Sequence, residues 1–330
     1  LDISNFDYSL PKDAIAQVPL AQRDASKLLV GSDPPAHMFT RDLPNLIKEG
    51  DVVVLNETRV MPSRLNLRRV TGGAVEVLVL EEHTDGRWEA LVRPSRKIQA
   101  GEELVDATGK KILSVEDTTE RDSRLVRPIS GKMREIFDQH GEIPLPPYIQ
   151  DKEIDSSRYQ TIFGKSESSV AAPTAGLHLT DKIIQECTTA GASIVTVDLS
   201  VGIGTFRPIS TSSIDDHLMH SESYHVSADT WEIIQAAKRV VAVGTTVVRT
   251  LESVAKSACL EGKTELYIKP GFEFEVVDAL MTNFHLPKSS LLVMVEAFIG
   301  KGWKGLYHLA LAEGYRFLSF GDAMFIERDQ

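Results

Sequence analysis

Val240 to Ser253 read VVAVGTTVVRTLES. An unbroken apolar run rich in valine predicts a buried strand. Gly244 ends it, two hydroxyl residues follow, and TTVVRTLESVAKSA predicts a helix. At such a strand-to-helix turn, free backbone N–H groups and the Thr245 and Thr246 hydroxyls converge where a carboxylate or phosphate can sit. One turn further on, Arg249 offers a fork of donors. The helix dipole supplies only ~0.3–1 kcal/mol, so the hydroxyls and Arg249 would have to carry specificity. The alternative is a glycine turn with an ordinary Thr cap.

Working outward, helix and strand alternate from about residue 155. Thr180 is placed to N-cap DKIIQECTTA, Gly191 to end it, and SIVTVDL to follow as a strand. WEIIQAAKR, SSLLVMVEAFIG and GLYHLALAEG read as helices, the last two around a final strand region. GDVVVLNETRV (residues 50 to 60) reads as another buried strand. The expectation is a layered α/β domain with a mixed sheet. Between these parts, AVEVLVL, RWEALVR, KILSV and SRLVRPI are short strand-like runs separated by Gly, Asp and Thr turns. They predict a small antiparallel barrel or sandwich, with one short helix, KMREIFDQH, and a stiff connector, PLPPY. Residues 1–60 and 151–330 are therefore expected to form a discontinuous α/β catalytic domain, with 61–150 an inserted barrel.

The chain has 330 residues, 42% hydrophobic and 25% charged, an ordinary globular composition. No stretch approaches the ~18 apolar residues of a membrane span, and LDISNFDYSLPKD has no signal-peptide character. A cytoplasmic address is the expectation, with no membrane partner. The two cysteines, Cys187 and Cys259, lack C-x-x-C spacing, so each is expected to be a buried, inert thiol. The net charge of −11 argues against indiscriminate binding of nucleic acid. Residues 61–150 hold 14 Lys+Arg against 15 Asp+Glu, leaving 22 against 32 elsewhere. A polyanion is thus expected near the middle segment, where Arg64, Arg68, Arg69, Arg93, Arg96 and Lys97 cluster. The alternative there is a solvated face.

SVGIGTFRP carries Gly202 and Gly204 after a strand but lacks the third glycine and helix of a dinucleotide fingerprint. Paired glycines allow backbone to approach a flat ligand such as a purine, or form a β-bulge. In HLMHSESYH, His217, His220 and Glu222 have no recognised ligand spacing, and no metal is expected. His178 in AGLH and His285 in NFHLP each lie in loop-like sequence before a helix.

Together these segments resemble one family, the S-adenosylmethionine:tRNA ribosyltransferase-isomerases of the queuosine pathway. The likeness runs from Phe6-Asp7-Tyr8 to Phe325-Ile326 through GDVVVLNETRVMPSRL, PLPPYI, YQT, VAAPTAGLH, VGIGTFRP, the H-x-M-H-S-E of His217 to Glu222, AVGTTVVRTLES, TNFHLP and YRFLSFGDAMFI. It implies transfer and isomerisation of the ribosyl moiety of S-adenosylmethionine onto 7-aminomethyl-7-deazaguanine at the tRNA wobble position. Epoxyqueuosine forms, and adenine and methionine leave. S-adenosylmethionine is a consumed co-substrate, with no other cofactor and a monomeric enzyme expected. His178 and His285 become the catalytic candidates, in unassigned order. Thr174, Gly202, Gly204, Thr245, Thr246, Arg249, Glu252, Asn283, Tyr315 and Asp322 become candidates for substrate binding. Tyr315 or Phe284 would stack on the base and Asp322 would read its amino groups. Arg93, Arg96 and Lys97, with Arg59 and Arg64, are the candidate RNA surface.

Some positions depart from the family pattern. Ser200 stands where the family commonly has His, which removes a candidate imidazole. Leu179 replaces a usual Phe, Ser63 and Ser290 stand where Ala and Thr are usual, and Glu296 takes a small-residue position. Two other readings are an S-adenosylmethionine-dependent RNA methyltransferase, whose glycine motif is not seen, and a non-catalytic RNA-binding module. The latter leaves the hydroxyl- and imidazole-rich loops unexplained.

Overall fold

Nine strands of the computed structural model form one mixed sheet, in the order Glu261–Thr264, Glu222–His225, Ser193–Leu199, Asp51–Asn56, Arg239–Val243, Ala279–Asn283, Ala323–Glu327, Lys27–Val30 and Ala36–Phe39. All residues are described except 120–122, 152–153, 203–207 and 329–330. The chain divides into two units, Leu1–Arg59 with Pro146–Glu167 and Ala172–Gln330, and Val60–Leu145 with Ser168–Ala171. Residues 146–150 lie in the first of these and 168–171 in the second, unlike the 61–150 segment read from sequence.

In the larger unit the four strands from Ser193–Leu199 through Ala279–Asn283 run parallel. All six residues of Asp51–Asn56 are buried, as a strand covered on both faces requires. The core packs Val53, Leu55, Val241, Val243 and Met281 against Ile183 and Cys187 of the helix Asp181–Thr189. Thr180 caps that helix through the Ile183 N–H at 3.3 Å. The helix read over WEIIQAAKR instead spans Ala228–Gln235, because Ser227 accepts from the Thr230 N–H and Arg239 already belongs to the next strand. Burial pushes the Cys187 thiol up to about 11. Cys259, expected buried, is exposed; it lies just beyond the left-handed residue Ala258 that ends the helix Thr245–Ser257. Among the described residues, no helix is long and apolar enough to cross a membrane.

The smaller unit closes on itself. Strands Arg64–Arg69, Ala74–Glu82, Trp88–Arg93, Arg124–Pro128, Lys111–Thr118 and Glu103–Val105 pair antiparallel in that order. Glu103–Val105 returns to the first strand through Arg68↔Val105 and Arg69↔Leu104, so a six-stranded barrel has no open edge. Alternate residues Leu65, Leu67, Val75, Val77 and Val79 fill its interior. The helix Met133–His140 ends at Gly141, where a Cβ would lie 2.0 Å from the Pro62 carbonyl oxygen.

Candidate active site

The four parallel strands end on one edge of the sheet. Their carboxyl ends deliver Asn56, Ser200 to Gly202, Gly244 to Thr246, and Asn283 to His285. Loops at this edge form the usual ligand crevice of an open α/β sheet. Gly204 lies outside the described residues.

Gly244 holds φ +100°, a conformation only glycine adopts without strain, and makes no side-chain cap. The N–H groups of Val247 and Val248 bond the Gly244 carbonyl, while Thr245 and Thr246 stand at the open start of the helix. Thr246 is only 9% exposed, and its buried Oγ1 has no hydrogen-bond partner among the described residues. A native protein rarely leaves such a group orphaned. A Cβ on Gly244 would sit 3.5 Å from that Oγ1 and 3.6 Å from Ala175, so the turn Thr174–His178 closes against the same corner.

From that turn a buried hydrogen-bonded chain runs across the strand ends. Thr174 donates to Asn283 Oδ1 at 2.9 Å, and Asn283 Nδ2 lies 3.0 Å from His178 Nε2 and 3.3 Å from the Asp322 carbonyl. A carbonyl can only accept, so the amide nitrogen faces His178, and Nε2 must accept from it. The proton of the neutral ring is then on Nδ1, which donates to Ser26 Oγ at 2.9 Å; Ser26 in turn meets Thr40 Oγ1 at 2.7 Å. Burial, reinforced by Arg316 and Arg23, lowers the His178 pKa to about 4. His285 is also buried and is lowered to about 3 by desolvation, with Nε2 3.0 Å from Thr282 Oγ1. Its backbone is pinned by Tyr307 Oη at 3.0 Å and Tyr8 Oη at 2.5 Å. Both imidazoles are therefore neutral at pH 7.

Thr174, Asn283, Phe284 and His285 line one cavity with Tyr148 and Ser319, whose hydroxyls meet at 2.7 Å. Sequence reasoning missed Tyr148 and Ser319. Tyr148 falls in a proline connector, and its place in the cavity wall and its hydrogen bond with Ser319 reveal it.

Other candidates stand behind this edge. Arg249 is committed to an ion pair with Glu222 and to the Leu266 and Thr264 carbonyls, so it presents no free fork. Glu222 passes that charge on by accepting from the Gly202 N–H at 2.9 Å. The Glu252 carboxylate, 0% exposed, accepts from the N–H groups of Glu275, Val276 and Val277, and so holds that loop. Asp322 accepts from the Lys27 and Arg316 N–H groups; burial pushes its pKa up against the pull of those bonds. Tyr315 donates or accepts with His37 Nδ1 at 2.8 Å, and burial raises its pKa to about 12. Phe284 is stacked on Phe317 at 4.7 Å. Neither ring offers an open face for a base. Ser200 donates its N–H to the Ser223 carbonyl, and Glu296 accepts from the Trp303 indole at 2.6 Å, which gives its buried carboxylate a partner. His217 packs edge-on to Tyr267, and no metal-binding cluster occurs among the described residues.

In the barrel unit Arg93, Arg96 and Lys97 are exposed, the last two on the turn Ser95–Lys97, and Arg124 donates to the Ser95 carbonyl of that turn and to the Ile98 carbonyl that follows it. Arg64 is half-buried near Glu76 and bonds the Leu145 carbonyl. Arg59, in the larger unit, pairs with Glu167 at 3.7 Å.

An open mixed sheet whose carboxyl edge carries a glycine-started helix, an orphan hydroxyl and two buried neutral imidazoles defines an α/β enzyme of the ligand-at-the-strand-ends class. The queuosine biosynthesis protein family profile matches residues 3–326, and the chain belongs to that family, a family of transferases. A protein of Staphylococcus epidermidis strain ATCC 12228 named S-adenosylmethionine:tRNA ribosyltransferase-isomerase is 44% identical, covering 99% of this chain and all of its own length. One of the same name from Moorella thermoacetica is 45% identical over 98% of this chain and 99% of its own. The crystal structure of S-adenosylmethionine tRNA ribosyltransferase from Thermotoga maritima is 36% identical. It covers 98% of this chain and all of its own, with a TM-score of 0.56.

Proposed function

We propose that the chain transfers and isomerises the ribosyl moiety of S-adenosylmethionine onto 7-aminomethyl-7-deazaguanine at the wobble position of tRNA, giving epoxyqueuosine and releasing adenine and methionine. The names of its relatives point to this substrate pair. The observation that carries the site is the orphan Thr246 hydroxyl at the start of the helix Thr245–Ser257. A carboxylate such as that of S-adenosylmethionine would take this hydroxyl and the adjacent N–H groups. Gly202, held through Glu222 and Arg249, would keep the neighbouring loop in place.

A sulfonium acidifies its neighbouring 5′-carbon, so a positioned base can begin the reaction; such catalysis contributes ~10²–10⁴-fold. His178 and His285 are the candidates for proton transfer, and both enter the reaction neutral. Asn283, Thr174 and Ser26 position the His178 ring. The α/β unit would be the catalytic domain and the barrel unit, through Arg93, Arg96 and Lys97, a docking surface for tRNA, with Arg59 and Arg64 assisting.

Incubation with tRNA bearing the precursor base and ribose-labelled S-adenosylmethionine, followed by nucleoside analysis, tests this. Label in a modified nucleoside with free adenine and methionine is expected. Methylated RNA or no turnover would overturn it.

A further inference from the structure

A second cleft on the larger unit gathers three arginines from distant parts of the chain. Arg23, Arg158 and Arg316 line it together with Ser26, His178 and Ser319. Arg23 comes from the turn Arg23–Ala25, Arg158 from the turn Ser156–Tyr159, and Arg316 from the segment before the strand Ala323–Glu327. All three are half-buried. The cleft is shallow and partly open to solvent.

Their partners set them apart from the unit's other buried arginines. Arg239 pairs with Asp51, and Arg249 with Glu222. The cleft arginines donate only to backbone carbonyls. Arg23 bonds the Leu177 and Ser157 carbonyls at 3.0 and 3.5 Å; Arg158 bonds Leu20 and Ala21 at 2.6 and 3.4 Å. Arg316 bonds Val18 at 3.2 Å. Among the described residues none has a carboxylate within ion-pair distance. Asp322, the acidic group nearest in influence to Arg316, has both oxygens committed to backbone N–H groups. The carbonyls fix where the guanidinium groups point without neutralising them, and each fork keeps donors to spare. Burial, then repulsion from Arg158, lowers the Arg23 pKa, and Arg316 and Arg23 both depress His178. Asp155 feels Arg158 and Asp322 feels Arg316 without a direct ion pair to either, so positive charge concentrated among three half-buried arginines favours an anion entering between them.

We infer that this cleft is an oxyanion-binding site and that its occupant is a phosphodiester of the RNA backbone. Three guanidinium forks suit a tetrahedral phosphate, whereas one fork already satisfies a planar carboxylate. The helix start at Thr245 and Thr246 is a separate place for the carboxylate of the small substrate. His178 and Ser26 form part of the cleft wall and belong to the hydrogen-bonded chain that reaches Asn283, so a phosphate seated here would tether a nucleotide beside that chain. The choice of RNA as occupant rests on the function proposed above; the oxyanion chemistry does not.

The test uses the full chain with Arg158→Gln, Arg316→Gln and Arg158→Lys, whose folding is checked by circular dichroism. Inorganic phosphate should raise the wild-type melting temperature and raise it less in both Gln variants. An anticodon stem-loop RNA carrying the precursor base should bind each Gln variant ~10-fold more weakly, as removal of a charge-assisted hydrogen bond predicts. The slope of log affinity against log salt should flatten by ~0.7 per variant. Arg158→Lys should keep the wild-type slope, and S-adenosylmethionine affinity by calorimetry should stay within about twofold. Unchanged RNA affinity and slope, with weakened S-adenosylmethionine binding, would overturn the proposal in favour of a carboxylate. No phosphate effect on the wild type would overturn it outright. Phosphate protection in a wild type that binds no RNA would instead refute the tRNA function and the phosphodiester occupant with it, leaving the oxyanion cleft standing.

Discussion

Thr246 and the two buried histidines have properties that separate a ligand-facing role from a packing role. Replacing Thr246 by Val exchanges an orphan hydroxyl for a methyl of the same shape. Because no internal hydrogen bond is removed, stability should be unchanged or rise by up to ~1 kcal/mol, while S-adenosylmethionine binding should weaken about five- to tenfold. Urea unfolding and calorimetry on the one variant read both effects; a destabilised protein with normal binding would make the hydroxyl structural. The histidines make a pH prediction. Their folded pKa values, about 4 for His178 and about 3 for His285, lie below the ordinary 6.5, so in the window between the unfolded chain binds the more protons. Stability should therefore rise with pH from about 3 to about 6.5, be fully present above that, and fall away on acidification, by a few kcal/mol for each ring. His285→Gln should show a shallower decline between pH 7 and 4.5 than the wild type in urea unfolding; equal slopes would count against a buried neutral imidazole. Turnover by His178→Ala or His285→Ala should fall at least ~10-fold, with less effect on ligand binding. Wild-type turnover in either removes that residue from catalysis.

The helix Thr245–Ser257 joins the open edge of the sheet to the frame behind it. Its first turn faces the candidate ligand, its second is tied by Arg249 to Glu222, and Glu252 holds the backbone of residues 275 to 277. Arg249→Met would strand a buried carboxylate and should cost ~3–5 kcal/mol, most of it recovered by adding Glu222→Gln. Denaturant midpoints of the single and double variants decide this; equal midpoints would show that the pair is not coupled. This helix and its strand were legible in sequence, because an uninterrupted valine-rich apolar run, a glycine and a helix-forming segment agree with one another. The same agreement made Asp181–Thr189 and four of the six barrel strands readable, while Arg64–Arg69 and the three-residue Glu103–Val105 were not. The short strands Lys27–Val30, Ala36–Phe39, Glu222–His225 and Glu261–Thr264 were not, since four residues carry little periodicity. Glu261–Thr264 reads EGKT, exposed at three of its four positions, and is held by pairing with Glu222–His225. The site was legible as segments and illegible as a set of partners. Asn283 and His178 could be named, but which faced a ligand and which, like Glu252, held a loop depends on residues far away in the chain. The arginine cleft left no sequence signal, because Arg23, Arg158 and Arg316 lie in three unrelated segments.

Across the whole molecule, charge is distributed so that a polyanion meets a favourable surface only locally. Residues 61–150 are nearly neutral, with 14 basic against 15 acidic side chains, while the rest carries 22 against 32. Within that segment the barrel strands close through Arg68↔Val105 and Arg69↔Leu104, so among the described residues no strand edge is left to pair with another chain. Arg93, Arg96 and Lys97 project from the barrel at the turn after the strand Trp88–Arg93, exposed to solvent and supported from beneath by Arg124. Exposed cations of this kind add little to stability, so their removal should leave unfolding midpoints within ~0.5 kcal/mol of the wild type. If they meet phosphates of tRNA, the triple alanine variant should bind tRNA more weakly at low salt. Its salt slope should flatten by ~0.7–0.9 for each phosphate no longer neutralised, or roughly two to three units in all. Binding titrations across a range of salt concentrations, set beside the arginine-cleft variants, show whether the two surfaces act independently, since additive losses mark uncoupled sites. A triple variant with wild-type affinity and slope would move the tRNA surface off the barrel.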